Sequence, residues 1–150
     1  MPQSLSRVII HLVFSTRDRH PYLDPEINPR IHAYLATLCR DEDCEAYRVG
    51  GVADHVHLAV RLGRTASQSK LVENLKKKSS GWIKRQNEKY TKFYWQKGYG
   101  AFSVSPQYLD DLLRYIDGQE EHQRKESFQD EYRRFLAKYE MEYDERYVWD

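Results

Sequence analysis

The stretch Asp54-His55-Val56-His57-Leu58-Ala59-Val60-Arg61 carries two histidines separated by one apolar residue. On a β-strand alternate side chains point to the same face, so both imidazoles project together while Val56 and Leu58 project the other way. The two histidine Cα atoms then lie roughly 6.5–7 Å apart, which allows both rings to bind one metal ion or phosphate. This stretch alone leaves open a half-exposed strand whose histidines have no chemical role.

Length and composition indicate one soluble globular domain over residues 1–150, with 31% charged and 40% hydrophobic residues. No apolar run approaches the roughly 20 residues that span a bilayer, and the first residues show no signal-peptide pattern. Cys39 and Cys44 have no second cysteine pair, so we expect reduced thiols rather than a zinc site. These features predict a cytoplasmic protein without a membrane partner.

Charge is unevenly distributed although the formal net charge is only +1. Basic residues dominate between Lys70 and Lys92, and acidic residues outnumber basic ones from Asp117 onward. A basic middle segment before an acidic end predicts a local surface that binds a polyanion.

Hydrophobic periodicity predicts four strands and four helices. The strands are expected at residues 7–16, 45–49, 54–62 and 100–104, and the helices at 24–40, 65–88, 106–122 and 127–141. The order β-α-β-β-α-β is that of the α+β ferredoxin-like sheet, here with extra C-terminal helices. In that topology the first and third strands are central, and both histidines would face outward onto an exposed platform. His11 could join them, but we favour a half-buried residue without a chemical role.

The helix predicted after the fourth strand contains Tyr115 and Gln119, which are four residues apart and therefore share one face. Both lie at the flank of the apolar stripe. A boundary tyrosine beside a surface glutamine is the simpler interpretation. A tyrosine at this border can also present its hydroxyl to a cleft.

Together, His-hydrophobic-His on a central strand and Tyr-x-x-x-Gln on a later helix resemble the single-tyrosine HUH transposases of small bacterial insertion sequences. The similarity covers nearly the whole chain and includes the segments 13–16, 54–57, 95–104 and 115–119, with Glu121 and His122 following. It implies an RRM-like HUH fold whose C-terminal helices carry the nucleophilic tyrosine. It also implies that the protein cuts and rejoins single-stranded DNA at hairpin-marked element ends through a covalent 5′-phosphotyrosine.

The resemblance assigns Tyr115 as the nucleophile and His55, His57 and Gln119 as metal ligands. A phenol with a pKa of about 10 is a poor nucleophile, so a cation on the phosphate would help to stabilise the developing charge. The family implies Mg²⁺, whereas the two imidazoles also suit Mn²⁺. No P-loop pattern is present, so we expect no nucleotide cofactor. Tyr108 is the alternative nucleophile.

DNA contacts are expected from basic and aromatic residues in the middle of the chain. Phosphate contacts are predicted for Lys70, Lys77, Lys84 and Arg85, and base stacking for Tyr94 and Trp95. A solvated helix face and packing in the core are the respective alternatives. Similar proteins are homodimers in which the tyrosine helix of one subunit completes the histidine site of the other, and the resemblance implies the same here.

Other enzymes with alternating histidines fit less well. Histidine-triad hydrolases need a third histidine where this chain has Ala59. Two-histidine phosphoesterases need a second His-x-Ser/Thr motif, and no other histidine begins one. A rolling-circle replication or relaxase-type nuclease and a domesticated hairpin-DNA-binding regulator without cleavage remain as alternative functions.

Overall fold

The computed structural model describes residues 2–150 and confirms the predicted α+β ferredoxin-like fold. The elements are β1 (Val8–Ser15), α1 (Asn28–Asp41), β2 (Glu45–Val52), β3 (His55–Leu62), α2 (Gln68–Lys84), β4 (Gly100–Val104), α3 (Leu109–Asp117), α4 (Gln119–Gln123) and α5 (Phe128–Lys138). Short 3-10 helices lie at Arg17–Arg19, Glu88–Tyr90 and Pro106–Tyr108. The sheet order is β2-β3-β1-β4 with antiparallel neighbours, so β1 and β3 are central as expected.

One face of the sheet forms the main core with α1 and α2. Alternate residues of the central strands point to this face, as the period of two predicts. They pack against the apolar sides of the two helices. The strand residues include Leu12, Phe14, Val56 and Leu58, and the helix residues include Ile31, Leu35, Leu71 and Leu75. The histidines of β3 therefore belong to the opposite face.

The opposite face is covered by the C-terminal helices, so the prediction that the histidines face an exposed platform is wrong. Ile9 and Ala59 pack against Leu109 and Ile116 of α3. Residues Phe128, Tyr132, Phe135 and Leu136 of α5 cover Val13 and Phe102. The apolar stripes of α3 and α5 need a partner, and this sheet face is the one that α1 and α2 leave uncovered. As a result, His55 and His57 are both 0% exposed.

Two glycines explain why β2 continues three residues beyond its predicted end. Gly51 has a φ of 147°, a conformation that favours glycine, and it leads into the tight turn before β3. Gly50 pairs with His57 across the strands, and a Cβ atom there would lie 2.6 Å from Ile116 Cγ2. Gly50 thus permits the close approach of α3 to the sheet edge beside the histidines.

Two helix boundaries differ from the predictions: α2 begins later than expected, and the helix predicted at residues 106–122 is divided. The side chain of Ser67 caps α2 by accepting from the Lys70 amide, so this helix begins at Gln68 rather than Thr65. Gly118 separates α3 from α4, which were predicted as one helix. Within residues 2–150, none of the helices has the length and apolar character needed to cross a bilayer.

Candidate active site

The two histidines of β3 converge on one buried carboxylate. His57 Nε2 lies 3.1 Å from Glu131 Oε1, and His55 Nε2 lies 3.4 Å from the same oxygen. Glu131 belongs to α5 and is itself fully buried. The two histidines share one face of the sheet, as the alternation along the strand predicts, whereas Glu131 is not among the predicted site residues.

The other ring nitrogen of each histidine is held by a neighbouring side chain. His55 Nδ1 lies 2.7 Å from Asp54 Oδ1, and His57 Nδ1 lies 2.8 Å from His11 Nε2. Such contacts fix the orientation of imidazoles whose second nitrogen faces a ligand. The expectation that His11 is half-buried is wrong, because the residue is only 2% exposed and lies against His57. His11 pairs with Ala59 across the strands, which places its side chain diagonally beside His57.

Gln119 joins the same cluster from the first residue of α4. Its Oε1 atom lies 3.0 Å from His55 Nε2, and its Nε2 atom donates to Glu131 Oε2 at 3.0 Å. The side chain is buried. The glutamine predicted as a metal ligand thus presents its carbonyl oxygen to the histidine pair.

Tyr115 reaches the cluster from α3 of the same chain. Its hydroxyl donates to Glu131 Oε2 and accepts from Arg134 Nη2 at 3.0 Å. The phenol ring lies 5.8 Å from the His57 ring, centroid to centroid. One chain therefore brings together the phenol, both imidazoles and Gln119, and the sharing of the site between two subunits stays a prediction. Tyr108, the alternative nucleophile, is 57% exposed on the preceding 3-10 helix.

The pKa values in this cluster follow from burial and from Glu131. Burial opposes the charged form of Glu131, but hydrogen bonds from His55 and His57 outweigh it and hold the pKa of this carboxyl well below its usual range. Burial also opposes a charged His55, yet hydrogen bonds to Asp54 and Glu131 raise its pKa to about 9. Burial and the Glu131 charge raise the pKa of Tyr115, against a smaller opposite effect of Arg134. The resting state is thus an ionised carboxylate beside a protonated phenol.

The donor atoms fit one divalent cation. The nitrogen and carboxylate atoms of His55, His57 and Glu131 lie within 4.8 Å of one another. Contacts of 3.0 to 3.4 Å join the histidine nitrogens to the Gln119 and Glu131 oxygens. Adjacent ligands around an octahedral ion with bonds of about 2.1 Å are separated by about 3 Å. Two nitrogens and two oxygens suit Mn²⁺ and also admit Mg²⁺.

One feature of the sequence points to Glu131, although this residue belongs to no short motif. This glutamate lies within the apolar stripe of α5, between Phe128 and Phe135, where it is fully buried. A carboxylate on the inner face of an amphipathic helix is rarely buried without a partner. Its position therefore points to the histidines beneath the helix.

The predicted DNA-contacting residues do not lie at the histidine site. Helix α2 packs on the opposite sheet face, and Lys70 and Lys77 are exposed on its outer side. Arg85, which follows the last residue of α2, is exposed as well. The Lys84 ammonium lies 4.0 Å from the centroid of the Tyr94 ring, and this tyrosine is 50% exposed. A role of these residues in DNA binding stays a prediction.

Trp95 does not fit the predicted role in base stacking. It is only 7% exposed and packs between Phe14 and Phe93, and its indole nitrogen donates to Ser79 Oγ at 2.9 Å. Burial of a large aromatic ring stabilises the core, and the one polar atom of the side chain is satisfied there. We therefore assign Trp95 to the core.

Comparison with known proteins identifies the family of the chain. Residues 4–119 match the family described as "Transposase IS200 like", and the chain belongs to this family. No curated protein matches the sequence. Two solved structures share the fold. A candidate transposase from Deinococcus radiodurans R1 is 19% identical with a TM-score of 0.63, and the alignment covers 79% of this chain and 95% of that one. A REP-associated tyrosine transposase bound to a REP hairpin is 14% identical with a TM-score of 0.57, covering 85% and 74% respectively.

Proposed function

We propose that this transposase cuts and rejoins single-stranded DNA through a covalent bond between Tyr115 and a 5′-phosphate. The observation that carries the proposal is the double contact of Glu131. Its Oε1 atom lies beside both histidines, while Oε2 accepts the hydrogen bond of the Tyr115 hydroxyl. A nucleophile, a carboxylate that orients it and a metal-binding donor set are therefore adjacent.

The cleavage step follows from these positions. The Tyr115 oxygen attacks the phosphorus of a phosphodiester, and its proton is lost to solvent. Glu131 Oε2 stays ionised and accepts the hydrogen bond that orients the Tyr115 hydroxyl. The bond from phosphorus to the 3′-oxygen breaks, and that oxygen leaves as a 3′-hydroxyl once protonated by solvent. Attack of a 3′-hydroxyl on the phosphotyrosine reverses the step, so rejoining needs no nucleotide cofactor.

We assign His55, His57, Gln119 and Glu131 as the residues that would hold a divalent cation, Mn²⁺ or Mg²⁺. When bound, the cation supplies positive charge that polarises the scissile phosphate and stabilises the transition state. The contacts of Asp54 and His11 keep the two imidazoles oriented for this role.

The proposed partner is single-stranded DNA that carries a hairpin. One structural neighbour is bound to a hairpin, and its fold is shared by this chain. The residues proposed to position such DNA are Lys70, Lys77, Lys84, Arg85 and Tyr94.

Mapping of the covalent bond tests the proposal directly. The protein is incubated with a pool of randomised single-stranded oligonucleotides and Mn²⁺, denatured, and digested with trypsin and nuclease. Because trypsin cleaves after Arg114, Tyr108 and Tyr115 fall on different peptides. We expect mass spectrometry to find a nucleotide on the peptide that begins with Tyr115. A nucleotide on the Tyr108 peptide, or on none, would contradict the assignment.

Metal binding should depend on pH because the cation must displace a proton from His55. The pKa of this imidazole in the metal-free protein is about 9. Affinity for Mn²⁺ should therefore rise roughly tenfold per pH unit below that value and level off above it. Calorimetric titrations in two buffers of different ionisation enthalpy would count the released proton. In Asp54→Asn the rise should shift to lower pH, and an affinity independent of pH would contradict the assignment of His55.

A further inference from the structure

Arg134 is a charged residue at the site that neither the motifs nor the family match includes, since the matched segment ends at residue 119. It lies on the side of α5 that faces Tyr115. Its Nη2 atom donates to the Tyr115 oxygen at 3.0 Å, and the guanidinium carbon lies 5.8 Å from the centre of the phenol ring. The nucleophilic oxygen thus has two partners: it donates to Glu131 and accepts from Arg134.

Glu126 holds the guanidinium in this position. Arg134 Nε and Nη2 donate to the two oxygens of Glu126 at 3.2 and 3.0 Å. Such a bidentate pair fixes the plane of the guanidinium. Among residues 2–150 the remaining terminal nitrogen, Nη1, makes no hydrogen bond. The group is therefore oriented and still has donors for a further acceptor.

Arg134 is accessible to solvent, whereas the histidines are not. Its side chain is 45% exposed, whereas both imidazoles are fully buried. A groove of about 270 Å³ leads to Tyr115, and Arg134, Lys138 and Tyr139 line it. Lys138 follows Arg134 by one helical turn, so both cations lie along the same side of α5. A strand with a negatively charged backbone that enters this groove would meet Arg134 beside the phenol oxygen.

We propose that Arg134 is a further catalytic residue, which binds the Tyr115 oxygen and a non-bridging oxygen of the scissile phosphate. This role rests on the proposed cleavage reaction. For attack the phosphorus must come to about 3 Å from the phenol oxygen, and a guanidinium already at that oxygen is then adjacent to the equatorial phosphate oxygens. Its fixed charge stabilises the negative charge that spreads from the phenol to the phosphate during attack. A purely structural role, in which Arg134 only joins Glu126 to α5, is the alternative.

Replacement of Arg134 distinguishes the two roles. The rate of covalent adduct formation is measured under single-turnover conditions with Mn²⁺ and the same oligonucleotide pool. For Arg134→Ala we expect a loss of about 100-fold or more, as for removal of one oxyanion donor. DNA affinity at low occupancy and thermal unfolding should change little. Guanidinium ions at low concentration should restore part of the rate, whereas sodium ions at equal concentration should not.

Arg133→Ala is the matched control, because Arg133 is the preceding residue on α5 and pairs instead with Asp130 and Glu145. It should retain nearly the full rate. If Arg134→Ala does not fold, Arg134→Lys replaces it, with an expected loss of at least about tenfold since lysine cannot bind Glu126 and the phenol oxygen in the same planar geometry. A rate within threefold of wild type in a folded Arg134 variant, or a loss without guanidinium rescue, would overturn the catalytic role alone. Absence of any Tyr115-linked adduct in wild type would overturn the cleavage proposal as well.

Discussion

Tyr115→Phe is expected to lower covalent adduct formation by at least about 10⁴-fold while DNA binding stays within about threefold of wild type. The substitution removes the oxygen that would attack phosphorus and leaves the ring in its contacts with His57 and Phe135. Because the half-buried ring is retained, the variant should fold. Adduct formation on a denaturing gel and DNA binding by fluorescence anisotropy measure the two quantities separately.

Tyr108→Phe provides the comparison for this experiment. Tyr108 is exposed, and no hydrogen bond within residues 2–150 joins its side chain to the histidine cluster, so the Tyr108→Phe protein should still form the adduct. An adduct that persists in Tyr115→Phe and disappears in Tyr108→Phe would move the nucleophile to the 3-10 helix. Loss of DNA binding together with the adduct in Tyr115→Phe would instead indicate a disturbed structure.

Glu131→Gln is expected to have the second largest effect, because Glu131 is proposed both to bind the cation and to orient the Tyr115 hydroxyl. We expect Mn²⁺ affinity to fall about 10- to 100-fold and adduct formation at saturating Mn²⁺ to fall about 100-fold or more. The amide replaces one carboxylate oxygen with a donor, so it cannot accept the Tyr115 hydrogen bond and also present a charged oxygen to the histidines. Calorimetry gives the affinity, and single-turnover kinetics give the rate.

Asp130→Asn is the matched control for Glu131→Gln, since it removes the same charge from the neighbouring residue of α5. The Asp130 side chain is exposed and pairs with Arg133, so metal affinity and rate should stay close to wild type. Unchanged Mn²⁺ affinity in Glu131→Gln would remove this residue from the ligand set. An unchanged rate at saturating Mn²⁺ would show that Glu131 does not orient the Tyr115 hydroxyl for attack.

Local sequence patterns predicted the fold and half of the site. The alternation of side chains along β1 and β3 predicted which residues face α1 and α2, and therefore that both histidines lie on the other face of the sheet. The prediction that this face is open failed because local patterns do not show where a C-terminal helix packs. The apolar stripe of α5 predicts a buried surface but does not identify its partner.

The site residues that the sequence did not reveal lie outside any short motif. Glu131 is separated by 74 positions from His57, and no spacing rule connects a strand to a helix so far along the chain. Arg134 reaches Tyr115 only because α3 and α5 cover the same sheet face. By contrast, Tyr115 and Gln119 are only four residues apart, and this short interval brings both side chains to the cluster although Gly118 interrupts the helix between them.

The position of Glu131 beyond the matched segment bears on how relatives with the same motifs can diverge. Residues 4–119 contain both histidines, the tyrosine and the glutamine, whereas the carboxylate comes from α5, which lies beyond them. A chain that shares these motifs but carries another residue at the position of Glu131 would keep the nucleophile, the imidazoles and the amide, and would lose one charged oxygen from the proposed metal site. Two chains with the same motifs can then differ in their choice of cation, and the motifs alone would not reveal the difference.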